Sequence, residues 1–401
     1  MLSSKAHGAL RAVSNRSRAY RFLRGIGPLR RIVHGARTVL QQYRVPAWRV
    51  EGANRTDGTP LSIVFAGHLE SKNYLAHLAF GDNRSERSLG NTWLWDVWRV
   101  GKQSGSDVIV TNEHVPSKGS RSRGFCMPCW VGTETDTQRA AELCRRSGSI
   151  KRDLRRLTRS GLTYNVTRDP RTIAAFYDTM YLPYARQAHG DRAMLTSWKE
   201  FEAELDHAEL MLIQRNGDTI AGHLLVDLGG QRVRARALGI MNGDLEFVRL
   251  GAVVAIYFFA VEYLLKKGCR KIHFGGSRPF LKDGVLNFKK KYGATLVDRD
   301  QHIFRVRVAR YSDGARSFLR DNPFISESDG HYYANFFVDR WADVNQEEFR
   351  SEISRLGVAG LTAVRVYDLE RAHGPLDEGG RAVEPAHVEL RLDGERFVTA
   401  D

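Results

Sequence analysis

Between residues 208 and 241 the chain alternates apolar and polar positions in three runs of strand length. The runs are Glu209–Gln214, Thr219–Asp227 and Arg232–Ile240, and they are separated by Asn216-Gly217 and Gly229-Gly230. Alternation with a period of two is typical of strands with one buried face, and Asn-Gly and Gly-Gly favour tight hairpin turns. The pattern therefore predicts an antiparallel meander.

After the meander the apolar spacing changes to the three-to-four-residue period of helices. It predicts a long apolar helix over about Arg249–Lys267, and Gly268 is the kind of residue that commonly follows a helix end. The next predicted elements are a strand, a helix and a strand, at Lys271–Phe274, Val285–Tyr292 and Ile303–Val308. Gly275-Gly276 directly follows the first of these strands.

The residues before the meander include stretches with the two-residue period of strands and stretches with the period of helices. Strands are predicted at Ser62–Ala66, Tyr74–Phe80 and Asp107–Thr111, and a helix around Trp93–Lys102. A very basic helix, Ser149–Ser160, then leads toward the meander. This region is predicted to be an α/β domain followed by a junction.

Residues 311–401 have a pattern of their own. An aromatic strand at Tyr332–Phe337, a helix at Glu347–Arg355, a strand at Leu361–Tyr367 and a hairpin at His387–Thr399 are predicted. Together they indicate a small α+β extension. The pattern leaves open whether it packs on the body or contacts a partner.

Charge is concentrated in an arm formed by residues 1–50. The arm holds eleven Lys and Arg and no Asp or Glu, whereas the other 351 residues hold 50 basic and 46 acidic side chains. Apolar residues between Leu29 and Tyr43 recur at helical spacing and predict an amphipathic helix. Three interpretations stay open: packing on the body, peripheral contact of residues 29–43 with an anionic membrane, and contact with nucleic acid such as tRNA.

The composition of the chain argues against several classes of protein. Four cysteines do not make a disulfide scaffold and favour a reducing compartment. Cys126-Met-Pro-Cys129 lacks a second pair or a His cluster at zinc spacing, so no metal is expected and a buried strand edge is favoured. No stretch reaches the length of a membrane span. We expect a cytoplasmic protein, or one bound peripherally at the inner face of the membrane.

The order meander, helix, strand, helix, strand resembles the GNAT superfamily. The body from about residue 60 to 310 looks like a FemAB-type protein, on the residues Phe274-Gly275-Gly276, Asp283-Gly284 and Phe288 to Ala294. The resemblance implies two tandem GNAT-like domains with mixed, mostly antiparallel sheets flanked by helices. The divisions are an arm (1–50), an N-terminal GNAT-like domain (51–148), a C-terminal acyltransferase domain (149–310) and the α+β extension (311–401).

The resemblance also implies an activity. Such proteins transfer an acyl or aminoacyl group to an amine, and the donor here is left open between acyl-CoA, acyl-carrier protein and aminoacyl-tRNA. The acceptor would be an amine-bearing small molecule or envelope precursor. The alternative is a non-catalytic GNAT-fold binding protein that acts at a membrane surface or on nucleic acid through its basic arm.

The predicted binding residues lie in two stretches. Glycines let a ligand approach the backbone closely, and cations favour a phosphate or carboxylate. On these grounds we expect the donor or substrate to contact Gly275, Gly276, Arg278, Phe288, Lys289 and Lys290. Arg249 and Gly251 are a remnant of the phosphate-binding turn of ordinary CoA-dependent enzymes, and Asp244 and Glu246 beside them would repel phosphate.

Direct transfer needs a base and a group that stabilises the oxyanion. The predicted catalytic residues are Glu246 and Asp283 as bases and Tyr292 as a hydrogen-bond donor to the oxyanion, with a backbone N–H as the alternative donor. Asp244 is a further candidate base. The sequence shows neither a Ser-His-Asp nor a Cys-His pattern, so a covalent intermediate is not expected.

Overall fold

A computed structural model describes residues 43–114, 124–297, 302–370, 387–393 and 396–399. The predicted amphipathic helix at residues 29–43 lies outside the described residues except for Tyr43, and so do its predicted membrane and tRNA contacts. From Arg44 onward the predicted arm is part of the first strand of the body.

The strands run along the whole described chain. They are β1 Arg44–Ala53, β2 Pro60–Ala66, β3 Arg84–Trp93, β4 Val108–His114, β5 Phe125–Pro128, β6 Val131–Asp136, β7 Leu162–Thr167, β8 Ala208–Arg215, β9 Asp218–Asp227, β10 Arg232–Ile240, β11 Lys271–Ser277, β12 Thr295–Val297, β13 His302–Val308, β14 Phe324–Ser328, β15 His331–Val338, β16 Leu361–Asp368, β17 His387–Asp393 and β18 Arg396–Thr399.

The helices alternate with these strands. They are α1 Leu69–Phe80, α2 Val97–Gln103, α3 Thr137–Arg146, α4 Gly148–Arg159, α5 Pro170–Phe176, α6 Leu182–His189, α7 Trp198–Glu202, α8 Leu245–Leu250, α9 Ala252–Lys266, α10 Gly284–Lys290, α11 Asp313–Asp321 and α12 Gln346–Leu356, with a π-helix at Tyr177–Tyr181. Among the described helices, none combines the length and apolar character that crossing a bilayer requires.

Within the described residues the strands form three sheets. Their orders are β3-β1-β2-β4-β13-β5, β12-β6-β11-β10-β9-β8-β7 and β14-β15-β16-β17-β18. Most neighbouring strands are antiparallel, and each sheet includes a parallel pair, which is β10 with β11 in the second sheet. The predicted mixed α+β class with mostly antiparallel sheets flanked by helices is confirmed.

The second sheet is buried on both faces. Helices α3, α4, α9 and α10 pack on one face around buried residues such as Ile256 and Ile272, and the π-helix with α5 and α7 packs on the other around Phe176 and Phe201. The predicted meander is present as β8, β9 and β10, with turns at the expected Asn-Gly and Gly-Gly positions.

One predicted strand is a helix. Tyr74–Phe80 is the second half of α1, which buries Ser71, Lys72, Leu75, Ala76, Ala79 and Phe80. These positions recur every three or four residues, so the burial follows a helical face and not a strand face. The prediction was wrong because a short apolar run does not by itself distinguish a strand from a buried helix.

The sheets exchange strands across the predicted boundary at residues 148 and 149. Strand β6 lies before that boundary but pairs with β11 and β12 in the second sheet. Strand β13 lies after it but pairs with β4 and β5 in the first sheet. The two halves therefore interlock through non-local pairing, and the domain division stays a prediction.

The C-terminal sheet packs on the body. Phe324 and Phe337 join Phe125 in the core of the first sheet, and Ile325 and Phe336 share a second core with Leu281 and Leu286. Backbone bonds also cross the junction, because the Leu281 N–H donates to the Pro323 carbonyl and the Leu296 N–H to the Ala359 carbonyl.

A buried carboxylate ties the first sheet together. Asp107 is 2% exposed and accepts hydrogen bonds from the N–H and hydroxyl of Ser62, both at 2.8 Å, and from Arg310 Nε at 2.8 Å. Burial acts to raise the pKa of Asp107, but the hydrogen bonds from Arg310 and Ser62 outweigh it and hold that pKa below its usual value.

We expect Asp107→Asn to lower the free energy of unfolding by roughly 2–3 kcal/mol at neutral pH, because an amide would turn N–H groups toward existing donors. Chemical denaturation measures this loss. The folded-state pKa is depressed, so the wild-type advantage is complete above the unfolded pKa of about 3.9 and disappears as the pH falls through the folded value. The matched control is Asp82→Asn, whose side chain is 97% exposed. Equal losses for the two variants, or a wild-type advantage that does not change with pH, would contradict the assignment.

Candidate functional site

The parallel pairing of β10 with β11 stops early. It covers Arg232–Arg234 against Lys271–His273, although β10 continues to Ile240 and β11 to Ser277. Past that point β10 pairs with β9 and β11 pairs with β6. Among the described strands none pairs with Ala235–Ile240 on the side of β10 opposite β9, and we call this stretch the open edge.

Two irregularities mark the place where pairing stops. In β10 the register with β9 shifts between Ala235 and Ala237, so Arg236 is a bulge. Before the bulge, Val233 and Ala235 pack in the core that α9 covers. After the bulge, Leu238 packs in that core and Ala237 packs in the core under the π-helix, on the other face of the sheet. In β11 the register with β6 shifts between His273 and Gly275. Bulges of this kind redirect side chains and backbone groups next to ligand sites.

The bulge in β10 is held by a carboxylate on the π-helix side. Arg236 Nε donates to Glu204 at 2.8 Å, Arg234 donates to the other oxygen of the same carboxylate, and Arg236 also reaches the hydroxyl of Thr196 at 3.1 Å. These hydrogen bonds hold Arg234 and Arg236, and so they fix the position of the strand where the open edge begins.

Glycine allows close packing against the open edge. A Cβ on Gly239 would lie 2.6 Å from backbone atoms of Met180 and Tyr181 in the π-helix. A Cβ on Gly243 would lie 2.9 Å from the carbonyl oxygen of Pro183. The backbone of residues 180–183 therefore packs against this end of β10 so closely that a side chain larger than that of glycine would not fit at positions 239 and 243.

Lys289 fixes the end of β11. Its side chain is 2% exposed, and Nζ donates to the carbonyls of Gly275 at 3.3 Å and Gly276 at 2.8 Å and to the Ser277 hydroxyl at 3.1 Å. The Gly275 carbonyl also accepts from the Thr133 hydroxyl at 3.1 Å. Gly275 has φ +74°, a conformation that favours glycine. The predicted glycine turn and the predicted lysine are thus one structure, which we call the lysine clamp (Gly275, Gly276, Ser277 and Lys289).

The neighbouring lysines point elsewhere, as three successive helical positions must. Lys290 Nζ donates to the Arg355 carbonyl at 2.8 Å, and burial together with Arg355 lowers the pKa of Lys290 to about 8. Lys291 Nζ lies 3.1 Å from Asp153 in α4. The lysine run therefore joins α10 to β11, to the C-terminal sheet and to the basic helix.

Arg278 lies between two aromatic rings at the end of β11. Its guanidinium carbon is 3.9 Å from the centre of Trp130 and 4.3 Å from the centre of Tyr74, and the side chain is 5% exposed. It donates to the Cys129 carbonyl at 3.4 Å. Burial lowers the pKa of Arg278. This predicted binding residue joins α1 to the strand after the clamp through cation–π contacts.

Asp283 and Tyr292 flank α10. Asp283 is the N-cap residue and accepts from the Leu286 N–H at 2.9 Å, and burial raises the pKa of this carboxyl. Tyr292 is 1% exposed and packs against Tyr257, Phe274 and Phe288, and burial raises the pKa of its hydroxyl. Tyr292 is therefore a core residue whose hydroxyl stays neutral.

The predicted residues before the long helix form a separate group. That helix is divided, because Gly251 with φ +103° separates α8 from α9. Glu246 and Arg249 are exposed and form an ion pair with each other, and Asp244 caps α8 by accepting from the Glu246 N–H at 2.9 Å. The side-chain hydrogen bonds described for Asp244, Glu246 and Arg249 lie within this group. Their predicted roles in catalysis and phosphate binding stay predictions.

A buried polar pair beside the open edge was missed by sequence reasoning. His223 on β9 is 2% exposed, and its Nδ1 has no hydrogen-bond partner among the described residues. Burial lowers the pKa of His223 to about 3, so the ring is neutral. Tyr257 of α9 stacks on it at 6.0 Å. The signal in the sequence was a histidine at an inward position of β9, flanked by the buried Ala221 and Leu225.

The short parallel pair, the bulged strand and the following helix lie in one stretch of chain. Residues 145–290 match the family model described as an acetyltransferase (GNAT) domain. The predicted resemblance to the GNAT superfamily is confirmed for this stretch, and the FemAB type stays a prediction.

Solved structures with GNAT folds are also similar to the chain. L-PGS from Bacillus licheniformis has 10% identity over 61% of this chain and 77% of that chain, with a TM-score of 0.33. A tandem GNAT protein from the clavulanic acid biosynthesis pathway has 12% identity over 57% and 76%, with a TM-score of 0.28. A GNAT family acetyltransferase from Elizabethkingia anophelis with acetyl-CoA bound has 12% identity over 37% and 98%, with a TM-score of 0.22. No curated protein matches the chain.

Within the described part of the chain, no three or more His, Cys, Asp or Glu side chains are grouped so that they could hold a metal ion. Cys126 lies in β5, one of the two edge strands of the first sheet, and Cys129 directly follows it; neither cysteine forms a disulfide within the described residues. Asn112 Nδ2 donates to Cys129 Sγ at 2.9 Å, and Arg305 donates to Cys126 Sγ at 3.1 Å.

We expect Lys289→Met to lower the free energy of unfolding by about 2 kcal/mol or more, because the variant would remove the Lys289 donor from the partly buried Gly276 carbonyl and from the buried Ser277 hydroxyl. Chemical denaturation checks the loss. Lys291→Met is the matched control, since it removes a lysine two positions away whose ion pair with Asp153 is partly exposed, and such pairs contribute about 1 kcal/mol or less. Equal stability of the two variants would show that the lysine clamp does not hold β11.

Proposed function

We propose that the chain is an N-acyltransferase that moves an acyl group directly from a thioester donor to an amine at the open edge of β10. The open edge carries the proposal, because it lies inside the stretch that matches the GNAT acetyltransferase model. Backbone N–H and C=O groups without a strand partner can pair with an extended ligand, as in strand addition.

The chemistry of that edge favours one kind of donor. An acyl group carried on a pantetheine arm presents amide groups along an extended chain, and these can form the missing ladder with Ala235–Ile240. Acyl-CoA and acyl-carrier protein share this arm, whereas aminoacyl-tRNA does not. We therefore propose a pantetheine thioester, and a phosphate beyond the arm would replace Glu246 as the partner of exposed Arg249.

In the transfer step the amine nitrogen attacks the thioester carbonyl. A C–N bond forms, the C–S bond breaks and the thiol leaves, while the amine gives up a proton. Backbone N–H groups at the Arg236 bulge are suited to the carbonyl oxygen as it gains charge. Asp283 is our proposed base, because burial raises its pKa and it lies beside the clamp and Arg278. Glu246 is the alternative base, and Tyr292 supports the site by packing.

The acceptor is proposed by chemical class. An amine-bearing small molecule or envelope precursor would supply the neutral nitrogen. The alternative function, binding without catalysis, would keep the fold and the arm and show no transfer with any donor.

Asp283→Asn is expected to lower kcat by about 100-fold or more with the acyl donor that supports turnover, because an amide cannot accept the proton. Release of free thiol and the mass gain of the amine acceptor measure turnover, with acetyl-CoA, acyl-carrier protein and aminoacyl-tRNA compared as donors. Stability should change little, since Asn is also a good N-cap residue.

Asp169→Asn is the matched control for this variant. Asp169 caps α5 by accepting from the Thr172 N–H at 2.9 Å, and α5 packs on the face of the second sheet opposite α10. Full activity of the Asp283→Asn variant would show that Asp283 is not the base. Turnover with aminoacyl-tRNA alone would overturn the thioester donor, and no turnover with any donor would favour the binding protein.

A further inference from the structure

A cluster of three aromatic rings, one exposed and two partly exposed, lies at the edge of the first sheet. Trp95 is 59% exposed and stacks on Trp93 with centroids 4.8 Å apart and an interplanar angle of 11°. Tyr43 contacts the Trp95 ring at 6.2 Å. We call these three residues the tryptophan patch. Its rings do not belong to the core of the sheet.

The backbone holds the patch in place. Tyr43 directly precedes β1 and accepts at its carbonyl from the Leu94 N–H at 2.9 Å, while Arg44 is the register partner of Trp93. Strand β3, which ends at Trp93, is the edge strand of its sheet. Tyr43 and Trp93 are therefore held by paired backbone, and Trp95 lies in the turn after β3, where the Asp96 N–H donates to the Trp93 carbonyl at 2.9 Å.

Basic side chains lie close in sequence to the rings, on β1 and α2. Arg44 is exposed, Arg99 is 67% exposed beside its partner Asp96, and Lys102 lies over the ring of Trp98 at 5.0 Å in the adjoining helix α2. The sequence before Tyr43, residues 1–42, holds nine Lys and Arg and no acidic residue. Positive charge thus predominates both on the described surface and in the sequence that leads to it.

We propose that the tryptophan patch binds an anionic lipid bilayer at the level of the headgroups. Indole rings favour that layer because they are apolar with one polar N–H, and arginine and lysine beside them attract acidic headgroups. The geometry favours lipid over nucleic acid. A base could stack on at most one face of Trp95, because Trp93 covers the other, whereas an indole ring enters the headgroup layer without a stacking partner.

The proposal concerns attachment and is independent of acyl transfer. The test is vesicle flotation of the full chain with pure phosphatidylcholine and with phosphatidylcholine containing about a third phosphatidylglycerol. The chain should float with the anionic vesicles, and Trp95→Ala should weaken that binding about tenfold. The measurement is repeated near 0.5 M salt, where charge is screened and the contribution of the rings remains. Quenching of tryptophan fluorescence by brominated lipid should fall in the same variant.

Leu228→Ala is the control, because Leu228 is an exposed apolar side chain (43%) on the turn between β9 and β10. Equal vesicle binding of wild type and Trp95→Ala at both salt concentrations would overturn the proposal. So would failure of the wild type to bind anionic vesicles. Binding of single-stranded RNA that is weakened by Trp95→Ala, without an effect on vesicles, would assign the patch to nucleic acid instead.

Discussion

The amino group of Lys289 holds the end of β11 by binding two glycine carbonyls and a serine hydroxyl. A strand that bulges loses regular partners for its backbone, and buried carbonyls without donors are costly. Lys289 supplies those donors from a helix that follows in sequence. Gly275 and Gly276 can therefore leave the register of β10 and continue along β6. The open edge of β10 depends on this arrangement, and so do the positions of Arg278 and Asp283.

The same helix couples the site to the rest of the molecule. Lys290 binds a carbonyl of α12, and Lys291 pairs with α4, so α10 contacts the C-terminal sheet and the basic helix as well as β11. The exchange of β6 and β13 between the first two sheets adds a second connection. A change in any one of these parts would alter the support of the clamp. This interlocking explains why the C-terminal extension is part of the body.

Local chemistry determined which features could be predicted from the sequence. The meander was predictable because Asn216-Gly217 and Gly229-Gly230 favour tight turns whatever surrounds them. Helical geometry requires the side chains of three successive lysines to point in different directions, so the divergence of Lys289, Lys290 and Lys291 was predictable. Which of the three reaches β11 depends on packing, and the sequence does not determine it. The exchange of β6 and β13, the helix at Tyr74–Phe80 and the buried His223 depend on contacts between residues distant in sequence. Arg278 was singled out for its charge, whereas its surroundings are two rings from separate segments.

Amide hydrogen exchange tests the central claim most directly, namely that the open edge holds the acyl donor while the clamp keeps β11 away from it. The comparison is the chain alone and the chain saturated with a thioether analogue of acetyl-CoA. The account predicts that exchange slows by about tenfold or more at Ala235–Ile240 and changes little in the C-terminal sheet. Unchanged exchange at Ala235–Ile240 with the analogue bound, or protection confined to another part of the chain, would contradict it.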